Sequence, residues 1–255
     1  MKIAAYGLTD VGRKRTKNED SFLINEKLNL YMVADGMGGH SGGEFASRMA
    51  VSTIEEVLKG LEDDPEATVI SGVNSEEADH GERLRYAVEM ASSRIFDRSV
   101  YDSALKGMGT TTVAALFDKG QVYVANVGDS RAYLFHANKM TQVTTDHSIV
   151  SEQIQAGVIS REEAKKHKLK NIITRSVGYQ EAVEADIKNF DVHMGDKILL
   201  CSDGLTNMID EIEIEQIVVN MAIREACKKL IERANENGGD DNISVIIAEV
   251  LDPSA

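Results

Sequence analysis

The chain of 255 residues has no tryptophan, two prolines, two cysteines and 5% aromatic residues, so any core must be built mainly from aliphatic side chains. With only Pro65 and Pro253, no proline-rich linker divides it. Cys201 and Cys227 lack CxxC spacing and are too few for a disulfide framework; they read as buried thiols in a reducing compartment. No apolar run approaches the roughly 20 residues of a membrane span. The N-terminal MKIAAYGLTD lacks the apolar stretch of a signal peptide. A cytoplasmic location is expected. Basic residues are also short: 28 against 42 acidic, a formal charge of −14. Such a surface repels nucleic acid and anionic membrane. Any phosphate this chain handles must be met locally, by a cation or a few placed arginines.

What is present is ordinary globular material, 42% hydrophobic, enough for one large core. The expectation is a single domain over residues 1–252. Short apolar runs at Ile3–Leu8, Leu30–Ala34, Thr111–Phe117, Val122–Val127, Ala132–His136, Lys197–Cys201 and Ile243–Val250 predict strands. Amphipathic stretches at Gly43–Leu61, Glu82–Tyr101, Glu213–Ala222 and Arg224–Asn237 predict helices, the first opening near Ser41 or Gly42. Runs of strands separated by runs of helices argue for layered α+β packing. The acidic stretch Glu62–Asp79 reads as a loop. The charged segment 147–170, with short helical patterns at Ser148–Ala156 and Ser160–His167, reads as an insertion between strands.

One arrangement recurs: an apolar strand running into an aspartate beside a glycine. It appears as Tyr31-Met-Val-Ala-Asp35-Gly36, Val124-Ala-Asn-Val-Gly128-Asp129 and Ile198-Leu-Leu-Cys-Ser-Asp203-Gly204. Gly238-Gly-Asp240-Asp241-Asn242 mirrors it before a strand, and Glu19-Asp20 opens the run Ser21–Ile24. One such aspartate is turn chemistry. Several at the ends of packed strands would bring carboxylates together, which is costly without a cation. Oxygen donors of this kind select Mg²⁺ or Mn²⁺, and two ions ~4 Å apart would activate a water and neutralise a phosphoryl group.

Zinc is the weaker metal hypothesis, because the six histidines show no close pairing in sequence. Arg15 sits in a basic cluster five residues before Asp20, where a guanidinium can grip two phosphate oxygens; a solvated basic loop is the plainer alternative. Arg131 is expected in a structural ion pair. The glycine-rich Gly36-Met-Gly-Gly-His40-Ser-Gly-Gly43 matches neither GxxxxGK[ST] nor GxGxxG, so it is no nucleotide loop; its glycines would let backbone approach an ion, with the Gly36 carbonyl available. No GxSxG is present, which disfavours serine nucleophile chemistry.

At these residues the sequence resembles the metal-dependent serine/threonine protein phosphatases of type 2C, the PPM class, in their compact bacterial form. The resemblance runs from about Leu8 to Val250. It is carried by Arg15-x-x-Asn18-Glu19-Asp20, Val33-Ala-Asp35-Gly36-Met-Gly-Gly-His40, Gly107-Met-Gly-Thr110-Thr, Val127-Gly-Asp129-Ser-Arg131, Ser202-Asp203-Gly204 and Asp241-Asn242. It implies an α+β fold, a four-layer α-β-β-α sandwich of two antiparallel sheets flanked by helices, with two Mn²⁺ or Mg²⁺ ions at one end. Asp35 would bridge both ions, the Gly36 carbonyl would bind one, and Asp203 and Asp241 would complete the other's shell. Glu19 and Asp20 would act through water, Asp129 would share a third, weaker ion with Asp203, and Arg15 would hold the substrate phosphoryl group. The Asp-Asn pairing selects Asp241 over Asp240.

The implied activity is hydrolysis of phosphoserine and phosphothreonine in proteins by a metal-activated water, without a phosphoenzyme. The implied partners are the phosphoprotein substrates of a bacterial serine/threonine kinase and the kinase itself, with no nucleic acid, no membrane and a monomeric chain. Many eukaryotic members place histidine directly after Asp-Gly as a proton donor. Here Met37 stands in that place and cannot donate a proton, which leaves a metal-held water as first candidate and His40 as second. Segment 147–170 corresponds to the family's flap and is expected to influence substrate choice. The rival readings are a phosphatase dedicated to one regulatory switch protein, a non-catalytic phosphoprotein-binding scaffold, and a calcium-binding protein. Retention of Asp35, Asp203 and Asp241 argues against the scaffold. The lack of an Asp-x-Asp-x-Asp-Gly loop argues against calcium.

Overall fold

A computed structural model describes residues 1–38, 42–64, 69–70, 73–74 and 78–254. Strands β1 (Lys2–Asp10), β2 (Asp20–Asn25) and β3 (Leu30–Met37) lead into helix α1 (Gly42–Asp63), the short strands β4 (Val69–Ile70) and β5 (Val73–Asn74), and helix α2 (His80–Tyr101). Next come β6 (Gly109–Thr110), β7 (Thr112–Asp118), β8 (Gln121–Val127), β9 (Arg131–His136) and β10 (Lys139–Gln142). Helices α3 (Ile149–Gln155) and α4 (Arg161–Lys165) precede β11 (Asp186–Asp191) and β12 (Lys197–Cys201). Helices α5 (Asp203–Thr206), α6 (Glu211–Asn220) and α7 (Ile223–Glu236) then lead to β13 (Ile243–Asp252).

Two antiparallel sheets form the centre. One has the order β1-β13-β12-β9-β10, the other β11-β8-β7-β3-β2 with β6 paired to β3. The side-chain period of a strand sorts each one into two faces. In β13, Ile243, Val245 and Ile247 pack beneath α6 and α7, while Ile246, Ala248 and Val250 face the other sheet. In β3, Leu30, Met32 and Ala34 pack beneath α1 and α2, while Tyr31 and Val33 face inward between the sheets. Both faces being covered, these strands read in sequence as unbroken apolar runs. The helices bury single stripes: Ala46, Ala50, Ile54, Leu58 and Leu61 on α1, Ala226, Leu230 and Ala234 on α7. The result is the expected four-layer α-β-β-α sandwich.

The four main helices lie within three residues of their expected bounds. Besides the two-residue strands β4, β5 and β6, two strands were not anticipated. In β11, Asp186–Asp191, the residues Asp186, Lys188 and Asp191 interrupt the apolar pattern. It is an edge strand, where charge blunts unwanted pairing. The other, β10, follows a two-residue turn in which Ala137 and Asn138 take φ 48° and 61°, a left-handed turn without the usual glycine signal. The expected loop Glu62–Asp79 instead holds the end of α1 and the paired strands β4 and β5, and part of it falls outside the described residues.

The layer between the sheets carries the sandwich, so Ile246→Ala, at a fully buried site there, is expected to lower stability by about 2–5 kcal/mol. Val158→Ala, at an exposed site, is expected to change it by no more than about 0.5 kcal/mol. Urea unfolding midpoints measure both.

Candidate metal centre

Antiparallel pairing brings alternate strand ends to one end of the sandwich. Asp20 opens β2 and Asp35 lies near the end of β3, and the two are direct cross-strand partners. Asp129 follows β8, Asp203 follows β12, and Asp241 precedes β13. Like charges directly opposite each other destabilise a strand pair, so Asp20 facing Asp35 is a local contradiction that the rest of the site must resolve.

Backbone contacts hold these positions. The Asp35 carbonyl accepts from the Thr111 N–H at 2.8 Å and the Thr110 hydroxyl at 2.9 Å, and the Asp35 N–H donates to Thr111 Oγ1 at 3.0 Å. Asn242, almost fully buried, accepts from the Glu19 N–H at 2.8 Å and donates to the carbonyls of Val11 and Lys17 at 3.0 and 2.9 Å. It staples the loop carrying Arg15 and Glu19 to the start of β13. Gly36 is required by space: a Cβ there would lie 2.0 Å from the Gly43 carbonyl oxygen. At Gly204 a Cβ would lie equally close to the Asn242 carbonyl.

The carboxylates are crowded, with Asp20 buried and the others half-buried. Buried Asp20 accepts from the Ser244 and Ser202 hydroxyls at 2.6 and 2.8 Å through Oδ2, while its Oδ1 has no partner among the described residues. Asp203 Oδ2 accepts from Asn207 at 2.9 Å, and its buried Oδ1 is likewise unpartnered. The Asp203 charge acts directly on Asp35, and two carboxyls brought this near each other need a proton or a cation. Burial pushes Asp20 up to about 7, against its two serine hydrogen bonds, with Asp203 and Asp241 adding to the rise. Burial, then Asp203 and Asp146, pushes Asp129 up to about 8. Asp35 is driven well above the usual carboxylate range by burial and then by Asp20, Asp203, Asp129 and Asp241. Burial, followed by Asp241, raises Asp203, and burial also raises Glu19. An all-oxygen donor set with two orphaned buried oxygens fits a hard divalent cation.

Arg15, half exposed at the rim, donates from Nη2 to Asp241 Oδ2 at 2.7 Å. The two residues expected to hold phosphoryl and metal therefore meet directly. Asp240 is exposed. Arg131 forms the expected ion pair, gripping Asp146 with Nε and Nη2 at 2.9 and 2.7 Å and donating to the Tyr133 hydroxyl at 3.1 Å. Asp146 itself, and the hydroxyls of Ser202, Ser244, Thr110 and Thr111, are site residues to which sequence reasoning assigned no role. Their only signal was membership of motifs or proximity to them. His147 is buried: its Nδ1 accepts from the Gly128 N–H at 3.2 Å and its own N–H donates to the Gly128 carbonyl at 2.8 Å, beside Asp129. His40 lies outside the described residues.

The protein phosphatase 2C family profile matches residues 12–247. The serine/threonine phosphatase stp of Listeria welshimeri is 41% identical over 245 residues, 94% of this chain and 93% of that protein. The crystal structure of the Mycobacterium tuberculosis serine/threonine phosphatase PstP/Ppp superposes with a TM-score of 0.86 at 32% identity, covering 98% of this chain and 99% of that one. The catalytic domain of PstP in complex with 2 manganese ions superposes at 0.83 and 31% identity, covering 98% and 99%. The chain belongs to the protein phosphatase 2C family.

The raised carboxyls keep their protons to higher pH in the folded protein than in the unfolded chain. Unfolded, they have released them by about pH 5. Metal-free stability therefore falls as pH rises from about 5 through about 8. Thermal melting of chelator-treated protein at ~5.5 and ~8 is expected to show the decline, and a saturating divalent cation is expected to abolish it. A metal-free midpoint that climbs over this range contradicts the electrostatic reading.

Proposed function

We propose that this chain is a metal-dependent protein serine/threonine phosphatase whose centre holds two Mn²⁺ or Mg²⁺ ions. Asp35 and the Gly36 carbonyl would hold them together with Asp203 and Asp241. Asp129, with Asp203, would hold a third, weaker ion, and Glu19 and Asp20 would act through water. The observation that carries this reading is the convergence of Asp20, Asp35, Asp129, Asp203 and Asp241 at one end of the sandwich, with buried carboxylate oxygens left without partners. The phosphatases among its relatives and the manganese-bound PstP domain support it.

Bound in this way, the ions supply Lewis-acid polarisation of a phosphoryl group and a water acidic enough to ionise near neutral pH. The chain's own residues do the rest. Arg15, on a loop stapled by Asn242, turns its guanidinium from Asp241 toward the phosphoryl oxygens, where charge grows as the phosphorus–oxygen bond breaks. Ser202 and Ser244 orient Asp20 by hydrogen bonds to one oxygen, leaving the other without a partner among the described residues. Met37 offers no proton, so the departing serine or threonine oxygen takes its proton from water.

No helix among the described residues is long and apolar enough to cross a membrane. Within this proposal the chain acts as a cytoplasmic monomer, one domain over residues 1–252, against the products of a bacterial serine/threonine kinase and on the kinase itself. Segment 147–170 serves as the flap. Its roots support this: the His147 N–H meets Gly128, and the Thr174 N–H donates to the His147 carbonyl at 2.8 Å, so the segment is tied beside Asp129.

Asp35→Asn and Asp241→Asn are each expected to reduce Mn²⁺-dependent hydrolysis of p-nitrophenyl phosphate by about 100-fold or more while circular dichroism stays unchanged. Undiminished turnover in either variant refutes its place as a ligand. Arg15→Ala is expected to raise KM for a phosphothreonine peptide by roughly 10–100-fold, the worth of a charged phosphate hydrogen bond. An unchanged KM assigns Arg15 to Asp241 alone.

A further inference from the structure

The six histidines are scattered in sequence, yet the fold brings two of them together with a carboxylate far from the acidic cluster. His136 ends β9, and His193 and Asp196 lie in the turn before β12. Their potential ligand atoms all fall within 4.8 Å of one another. His136 Nδ1 lies 2.9 Å from Asp196 Oδ1, His193 Nδ1 lies 3.6 Å from Oδ2, and the ring centroids are 5.3 Å apart. Asp203 follows the far end of the five-residue strand β12, which puts the two sites roughly 20 Å apart along the strand direction.

We propose that His136, His193 and Asp196 form a second metal site, for a divalent transition ion of the Zn²⁺ type. The donor chemistry differs from that of the other end: two imidazoles and one carboxylate suit zinc, copper or nickel, where an all-oxygen set suits magnesium or manganese. Asp196 is the fixed member. Its side chain is 6% exposed, and Oδ2 accepts from the His193 N–H at 2.9 Å. Its turn is pinned to β13 by the Gly195 N–H to the Val250 carbonyl and the Val250 N–H to the Asp196 carbonyl, at 2.8 and 2.9 Å. A carboxylate this buried calls for a cation. The adjacent Lys197 does not provide one, because its Nζ donates to the carbonyls of Val218 and Met221. Among the described residues the ion-pair partners of Asp196 are the two histidines.

The histidine side chains are 55% and 68% exposed, on the wall of a groove of about 300 Å³. They can turn to close ligand separations to the roughly 3.4 Å of a tetrahedral ion with Zn–N bonds near 2.1 Å. Three protein ligands leave the fourth position to water, as in exchangeable sites. Bound there, an ion would tie the β9–β10 hairpin to the turn that starts β12.

Equilibrium dialysis of the full chain against Zn²⁺ in excess Mg²⁺, paired with imidazole NMR, tests the site. Wild-type protein is expected to retain one more Zn²⁺ per chain than the His136→Gln/His193→Gln variant, and Zn²⁺ is expected to shift the His136 and His193 resonances. The single variant His193→Asn is expected to show the same loss. Mn²⁺-dependent hydrolysis of p-nitrophenyl phosphate by these variants should remain at the wild-type level, reporting an intact fold and an intact acidic centre. Zn²⁺ displacing Mg²⁺ at that centre would appear equally in all three proteins, so only the difference between them counts. Equal Zn²⁺ retention in wild type and variants, with unmoved histidine resonances, overturns the proposal.

Discussion

Like charge forced into one crowded place is the constraint on which this molecule turns. The register of β2 against β3 sets Asp20 opposite Asp35, and three other strand ends deliver Asp129, Asp203 and Asp241 to the same spot. An uncompensated buried carboxylate costs several kcal/mol, and a whole domain is stable by only about 5–15 kcal/mol. Ionising the group without cations works against that margin. The fold therefore admits two states of the cluster, protonated or cation-filled, and the upward displacement of Asp20, Asp35, Asp129 and Asp203 is the mark of the first.

The surrounding structure keeps that tension from relaxing. A sandwich packed on both faces of both sheets cannot easily shift a strand register, since a one-residue slip would turn every buried side chain of β3 or β13 to the wrong layer. Small polar groups complete the frame. Thr110 and Thr111 clamp the backbone of Asp35, Asn242 holds the loop before Asp20, and Ser202 and Ser244 satisfy one Asp20 oxygen while leaving the other open. The Arg131–Asp146 pair places a bidentate ion pair beside Asp129, so one further carboxylate near the cluster carries its own counter-charge.

Much of this was legible in the residues. Apolar strands ending in Asp-Gly announced both the layers and the carboxylates, because a strand covered on both faces is a continuous apolar run and a chain reversal favours Asp and Gly. Edge strand β11 was hidden by its charges, and β10 by a turn built from Ala137 and Asn138. Asp146 was invisible for another reason. It follows no strand-to-glycine pattern, and its place depends on Arg131 reaching it across 15 residues. The meeting of His136 with His193 and Asp196 depends on β9 and β12 being neighbours, which linear spacing does not encode.

Membership of the protein phosphatase 2C family and the acidic centre agree on the same chemistry, and in the proposed function that chemistry rests on cations replacing protons among the clustered aspartates. The most direct measurement is calorimetric titration of the chelated protein with Mn²⁺ at about pH 6.5, repeated in buffers of different ionisation enthalpy to count the protons exchanged. The account predicts release of more than one proton per chain, falling away by about pH 9 as the carboxyls ionise unaided. Mn²⁺ binding that releases no protons at either pH would contradict it.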